Sequence, residues 1–243
     1  MLKNKLYSNS YASIVKEIYR GLIYALPVLI GYIPFGLLLG TQAAQKGISP
    51  LEMGMMTGLN FGGGSEFAVM PIWSPMPNIL TIVLITILVN SRYLIMGITF
   101  APLIYHLPPK KALPTLFAMS DESWALGMAD AARRKASGLT PFSGWFYIGL
   151  AGAMWLTWAI STIAGVIVGP MLGDITTWGF DMAFPAVFFV LLKGMWKGLR
   201  ASIPWVVSLI CATVTYQFIS NALYVPVGVA AGFATILLMG DKN

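Results

Sequence analysis

Residues 21–40 read GLIYALPVLIGYIPFGLLLG. As a helix, twenty residues rise about 30 Å, the thickness of a bilayer's hydrocarbon core. The stretch carries no charge, so it reads as a membrane-spanning helix. Long apolar runs recur at 77–105, 142–169, 203–219 and 222–240. The whole chain of 243 residues is 57% hydrophobic and only 10% charged, with mean hydropathy +0.76. Soluble domains carry about 25% charged residues. A water-soluble fold of this size cannot hide that much apolar surface, whereas lipid can cover it. The expected fold class is therefore all-α, a polytopic transmembrane helix bundle of about seven spans, within a range of roughly six to eight.

The net charge of +6 does not point to nucleic acid, because the basic residues cluster between the apolar runs. Lys3, Lys5, Lys16 and Arg20 precede the first run; Lys110, Lys111, Arg133, Arg134 and Lys135 share a central segment; Lys193, Lys197 and Arg200 share another. That is the positive-inside pattern. It places the N-terminus, residues 106–141, residues 193–200 and the C-terminus inside, and residues 170–181, with Asp174 and Asp181, outside. These assignments require an even number of crossings, which the estimate of about seven does not meet. The first twenty residues are polar or amphipathic and lack a signal peptide's short core and cleavage site. Residues 1–20 read as a cytoplasmic amphipathic lead-in, and 21–240 as one transmembrane domain with a polar central segment at 106–141. One cysteine, Cys211, and one histidine, His106, leave no disulfide framework and no metal cluster. His106, at the end of an apolar run, reads as an interfacial residue.

Several runs are interrupted. Pro27, Gly31, Pro34 and Gly36 lie inside the first; proline removes a backbone donor, so a kink or break is expected, with Pro34 and Gly36 at its centre. Gly54, Gly58 and Gly62 fall on one helix face, which suits close packing. Gly62-Gly63-Gly64-Ser65-Glu66-Phe67 follows, and three glycines each cost a helix about 1 kcal/mol against alanine. A broken or re-entrant helix is expected there. Residues 77–105 contain Asn90-Ser91-Arg92 and read as a broken span or two half-helices. Within 106–141, residues 112–130 read as one amphipathic helix. Residues 182–193 are short and contain Pro185. Each half holds a glycine-rich span followed by a proline-interrupted segment, the arrangement of a diverged inverted repeat.

Two charges are embedded in apolar sequence. A charge at mid-bilayer costs about 2.5–3.5 kcal/mol, so such residues face a cavity and take partners. Arg92 reads as an anchor for a substrate carboxylate, or as the partner of an internal acid. Glu66 reads as the group that receives a substrate ammonium or carries a coupling proton, or as Arg92's structural partner. Gly62, Gly63, Gly64 and Ser65 at the break, together with Asn90, complete the expected binding set; a half-helix N-terminus there is suited to a carboxylate. Asp121 and Glu122 read as a gate or proton site, or as a solvated pair. A zwitterion needs a cation, an anion and an apolar pocket, for which Phe35, Phe61 and Phe67 are available. There is no Walker A loop, Rossmann fingerprint, HExxH or nucleophile elbow, so neither catalysis nor ATP-driven transport by this chain alone is expected, and no cofactor.

Several segments together resemble the AzlC family, the large subunits of bacterial branched-chain amino-acid exporters. They are Gly31-Tyr32-Ile33-Pro34-Phe35-Gly36 with Gly47-Ile48-Ser49-Pro50-Leu51-Glu52; Phe61 to Phe67; Asn90-Ser91-Arg92-Tyr93 with Ala101-Pro102; and Ser120-Asp121-Glu122-Ser123-Trp124-Ala125-Leu126. Their order and spacing match over about residues 20–130. The resemblance implies a multi-pass protein of the bacterial cytoplasmic membrane. It implies proton-coupled secondary export of valine, leucine, isoleucine or a related hydrophobic amino acid such as methionine. It also implies a small, separately encoded multi-span AzlD-type subunit. Glu66 departs from the family pattern, which typically has glutamine there. A channel or facilitator for another small solute and a non-transporting scaffold are the competing expectations.

Overall fold

The computed structural model describes residues 2–171, 198–218 and 224–240, with side chains from residue 13 on except at 225. Among the described residues it is helical, with no strand. The readings of 172–197, including Asp174, Asp181, Pro185, Lys193 and Lys197, lie outside the described residues. So does much of the second half of the expected repeat.

The chain forms two compact units, residues 1–77 with 89–172, and 78–88 with 173–243. In chain order the helices are α1 (Leu2–Gln45), α2 (Pro50–Asn60), α3 (Gly64–Val69), α4 (Ile79–Asn90), α5 (Arg92–Ile104), α6 (Pro109–Phe117), α7 (Asp121–Ala136), α8 (Gly144–Val168), α9 (Leu199–Phe218) and α10 (Tyr224–Met239). Among the described residues, four segments are long and apolar enough to cross a bilayer: Ser13–Gln45, Ile79–Ile104, Gly144–Met171 and Leu199–Phe218; Pro226–Met239 is a shorter apolar helix. Their outward faces are apolar, with Ile30, Leu94, Ile98, Leu156 and Ile160 all more than half exposed. This is a surface built for lipid.

The first unit is organised on α1 and α8, which run side by side in the same direction. Gly21 lies against Phe146 and Leu150, Gly36 against Ser161, and Gly40 against Thr162 and Val166. From the other side, Gly149 lies against Ile18, Gly165 against Leu37 and Gly169 against Thr41. A Cβ at Gly21, Gly40, Gly149 or Gly165 would run into the opposing backbone. Small residues let two helices meet at backbone distance, where dispersion and close packing replace the absent hydrophobic effect. The expected break at Pro34 and Gly36 is not there, because α1 continues through Pro27, Pro34 and Gly36 to Gln45. The two prolines, seven residues apart, share the exposed face. Gly36 serves instead as a point of close approach to α8.

Two helical hairpins pack against this helix pair from opposite ends. The first is α2–α3. Ser49 and Glu52 close a capping box that starts α2, and Ser49's backbone N–H and hydroxyl hold the Glu52 carboxyl below the ordinary carboxylate range. α2 descends along α8, with Gly54 beside Ile163, Thr57 3.2 Å from Thr162 and the Gly58 carbonyl accepting from Trp155 at 3.0 Å. It stops at Phe61 (φ 44°), and the chain reverses through Gly63 (φ 47°). α3 and a 3-10 turn then climb back until the Pro71 carbonyl meets Lys46 at the end of α1. The sequence-predicted break at Gly62–Gly64 is thus a re-entrant tip.

The second hairpin is α6–α7, and it corrects two expectations. Residues 112–130 are not one helix: Ser120 caps a new one, α7, through a reciprocal box with Ser123. Residues 106–141 are also not simply a polar connection at the basic end. α5 descends to that end, bringing Phe100 beside Phe142 and Tyr147. α6 then returns, packing Ala112 and Leu116 on the cluster formed by Met96, Phe100, Ile104, Met119 and Tyr147. α7 descends again, with Trp124 donating to Thr99 and Gly127 against Phe100 and Tyr147.

In the second unit, α9 and α10 form an antiparallel pair, with Gly228 against Ala212 and Ser208, and Gly232 against Ser208 and Pro204.

Candidate functional site

The spans place the site in depth before any side chain is considered. Arg92 stands at the midpoint of Ile79–Ile104 and Trp158 at that of Gly144–Met171; Tyr32 is three residues past the middle of Ser13–Gln45. The tips of both hairpins, Phe61–Gly63 and Ala118–Ser120, reach the same level. The expected residues therefore meet at mid-depth, where polar and charged groups need protein partners.

Arg92 joins the two tips. Its guanidinium donates to the Gly62 carbonyl at 3.3 Å and pairs with Asp121 at 3.0 Å. It also lies 5.3 Å from the Tyr93 ring, whose hydroxyl donates to the Phe61 carbonyl at 3.4 Å. Asn90 Nδ2 donates to the Asn60 side-chain oxygen, Oδ1, at 3.2 Å. Two polar atoms here, Arg92 Nε and Asn90 Oδ1, are buried and make no hydrogen bond among the described residues.

Glu66 is 2% exposed and does not pair with Arg92. Its carboxylate accepts from Trp158 Nε1 at 2.8 Å, from the Gly62 backbone N–H at 3.2 Å and from Asn60 Nδ2 at 3.3 Å. The N–H that the break frees at Gly62 is thus taken by the chain's own acid. Ser65 accepts from Asn60 at 3.0 Å. Among the described residues Glu66 has no cation beside it; three neutral donors hold it.

Glu122 accepts from the Tyr32 hydroxyl at 2.6 Å, and Tyr32 also reaches Ser120 at 3.4 Å. Trp158 stands between the two acids: its indole N–H is on Glu66, and its ring takes Tyr32 edge-on at 5.4 Å and Phe67 at 6.2 Å. Asp121 and Glu122 therefore both take partners within the cluster, through Arg92 and Tyr32. Gly64 lies against Arg92. Pro34 is exposed, and Gly36 belongs to the α1–α8 seam.

Sequence reasoning missed Tyr32, Asn60 and Trp158. Each is a side chain with one polar end inside an apolar run. The available signal was that such a group needs a partner in lipid.

These features define a polytopic helical membrane protein with a polar site at mid-depth between two re-entrant hairpins. The family profile described as AzlC protein matches residues 27–172, which contain every residue of that site. The chain belongs to the AzlC family. It is 27% identical over 191 residues to an uncharacterized membrane protein of Archaeoglobus fulgidus, covering 76% of this chain and 79% of that one. It is 26% identical over 176 residues to the branched-chain amino acid transport protein AzlC of Bacillus subtilis, covering 71% and 65% respectively. It is 25% identical over 164 residues to the inner membrane protein YgaZ of Escherichia coli, covering 67% and 62%. In the last two the matched region spans slightly less than two thirds of the relative's length. No solved structure matches.

Proposed function

We propose that this chain is the large subunit of a secondary transporter that exports branched-chain or related hydrophobic amino acids across the bacterial cytoplasmic membrane. The observation that carries the reading is the pair of buried atoms beside the tips, Arg92 Nε and Asn90 Oδ1, that have no partner among the described residues. Buried polar atoms are nearly always paired, so an unpaired donor and an unpaired acceptor beside one helix break suit a ligand carrying both an anion and a cation. The Arg92 guanidinium takes the carboxylate, and the Asn90 carbonyl with the neighbouring acids takes the ammonium. Gly62, Gly63, Gly64 and Ser65 supply the backbone against which the α-carbon rests. Phe61 and Phe67 supply apolar wall for the aliphatic side chain.

Glu66 carries the coupling proton in this reading, since it is the most buried acid of the cluster and has no permanent counter-charge among the described residues. Asp121 and Glu122 sit at the start of α7, where substrate arrival and helix position affect each other. The resemblance to AzlC proteins supports a small AzlD-type multi-span partner.

The test is efflux of labelled valine, leucine, isoleucine and methionine from cells making this chain with and without such a partner. Efflux that needs both chains and collapses with the proton gradient is expected. Downhill efflux insensitive to the gradient would make the protein a facilitator. No efflux of any of the four, with both chains inserted, would remove the amino-acid assignment.

A further inference from the structure

α7 is held at both ends by charge. At its start are Arg92–Asp121 and Tyr32–Glu122; near its other end is a second, separate network that the proposed transport site does not use. Arg20 on α1 pairs with Asp130 through its two terminal guanidinium nitrogens, and also with Glu17, 2.9 Å away. Glu17 in turn pairs with Arg134 at 3.1 Å and accepts from Ser143, at the start of α8, at 2.5 Å. Arg20 lies over the Phe146 ring at 4.1 Å. Arg133 donates to Tyr24 at 2.8 Å and lies over its ring at 4.8 Å. Asp130 is 3% exposed. Four charges, two of each sign, thus tie α7 to α1 and to the entrance of α8.

Between its two ends α7 is held by packing on one side, where Trp124 and Met128 lie part-buried on the cluster of Met96, Phe100 and Tyr147. The residues it buries are Ser123, Gly127, Asp130 and Ala131, which are small or polar. On α1, Arg20 lies twelve residues before Tyr32, so the network sits about 18 Å below the mid-depth site. By the positive-inside rule, the end carrying Lys16, Arg20, Lys110, Lys111, Arg133, Arg134 and Lys135 faces the cytoplasm.

We infer that the α6–α7 hairpin is the cytoplasmic gate of the transport site, and that Glu17, Arg20, Asp130 and Arg134 are its latch. A helix gripped at both ends by ion pairs, with small residues Ser123, Gly127 and Ala131 at its fully buried positions, pivots on its Trp124–Met128 contacts when one grip is lost. Release of Asp130 from Arg20 lets α7 swing from α1 and α8 and opens a path along Ser123 and Gly127 to Arg92. Occupancy of Arg92 by a substrate carboxylate competes with Asp121 and loosens the other end. This rests on the proposed transport site, but its test does not need the substrate.

In a Cys211→Ser background, Ser123→Cys places a thiol at a fully buried position between α7 and Tyr147 of α8. Inside-out vesicles are treated with a charged, membrane-impermeant thiosulfonate, and labelling is timed. With the latch intact labelling is slow; Asp130→Asn and, separately, Arg134→Gln speed it at least tenfold from the cytoplasmic side only. Asp130→Glu keeps it slow. A detergent-denatured sample confirms a reactive thiol, and Arg134→Gln carries the test if Asp130→Asn fails to insert. Unchanged labelling in an inserted latch variant, or acceleration equally from both sides, overturns the gate. Faster labelling in a protein that exports no amino acid leaves the gate standing and removes the transport assignment. Amino-acid efflux with unchanged labelling does the reverse.

Discussion

Replacing Arg92 by glutamine removes a side chain that holds both hairpin tips, and the size of the effect follows from its contacts. The hydrogen bond to the Gly62 carbonyl, at 3.3 Å, is charge-assisted and worth about 1.5–3 kcal/mol. The ion pair with Asp121, at 3.0 Å, joins side chains 40% and 48% exposed, so it adds only about 1 kcal/mol. Together they amount to about 2.5–4 kcal/mol, and each 1.36 kcal/mol is tenfold, so initial efflux per inserted molecule should fall roughly 70- to 900-fold. Asp121→Asn removes the ion pair alone and should cost about fivefold. The double variant should be no worse than Arg92→Gln, because Asp121 has by then lost its partner and neutralising it relieves an uncompensated acid. Efflux of labelled leucine, normalised to chain abundance in the membrane, measures all three. An Arg92→Gln rate within twofold of the parent, or a double variant showing the product of the two single losses, would refute the claim that Arg92 acts by joining the tips.

Glu66→Gln should insert normally, since the amide oxygen still accepts from Trp158 or Gly62, but efflux should lose its dependence on the proton gradient; unchanged gradient dependence would take the coupling role from Glu66. Trp158→Phe removes the indole donor to that carboxylate and should cost about 1–3 kcal/mol of stability for the buried acceptor left short of a partner, read as a lower melting temperature in detergent. Gly165→Ala should destabilise by about 1–3 kcal/mol, because its Cβ meets the Leu37 backbone, whereas Gly31→Ala, with nothing within 4 Å, should be neutral or gain up to about 1 kcal/mol. Equal melting temperatures for those two variants would mean that the α1–α8 seam is not the backbone-to-backbone contact described.

The sequence made the membrane class plain, because apolar runs of spanning length follow directly from the thickness of lipid. It also exposed the re-entrant tip at Gly62–Gly64, since three glycines cannot hold a helix. Glu66, Arg92, Asp121 and Glu122 stood out as charges that apolar surroundings do not tolerate alone. Their pairing was not legible. Arg92 takes Asp121 and not Glu66, because the Ser120 cap turns α7 back to mid-depth, and nothing local in residues 106–141 distinguishes that hairpin from a solvated segment. The polar face of α7 looks like a water-facing one, yet it is matched by Glu17 and Arg20 from the far end of the sequence. The Ser120-Ser123 box was the local sign that one helix ends and another begins. Pro34 and Gly36 misled for a related reason: a proline facing outward leaves the helix continuous, and Gly36 answers to α8 and not to a break.

The measurement that tests the central claim most directly is equilibrium binding of labelled leucine to the purified chain with the proposed small partner, in parallel for the parent, Arg92→Gln and Gly31→Ala. The account predicts saturable binding in the parent and Gly31→Ala, displaced by valine, and its loss in an Arg92→Gln protein that melts cooperatively. Undiminished binding in folded Arg92→Gln would contradict it, because the mid-depth junction of the two hairpins would then not be where the amino acid sits.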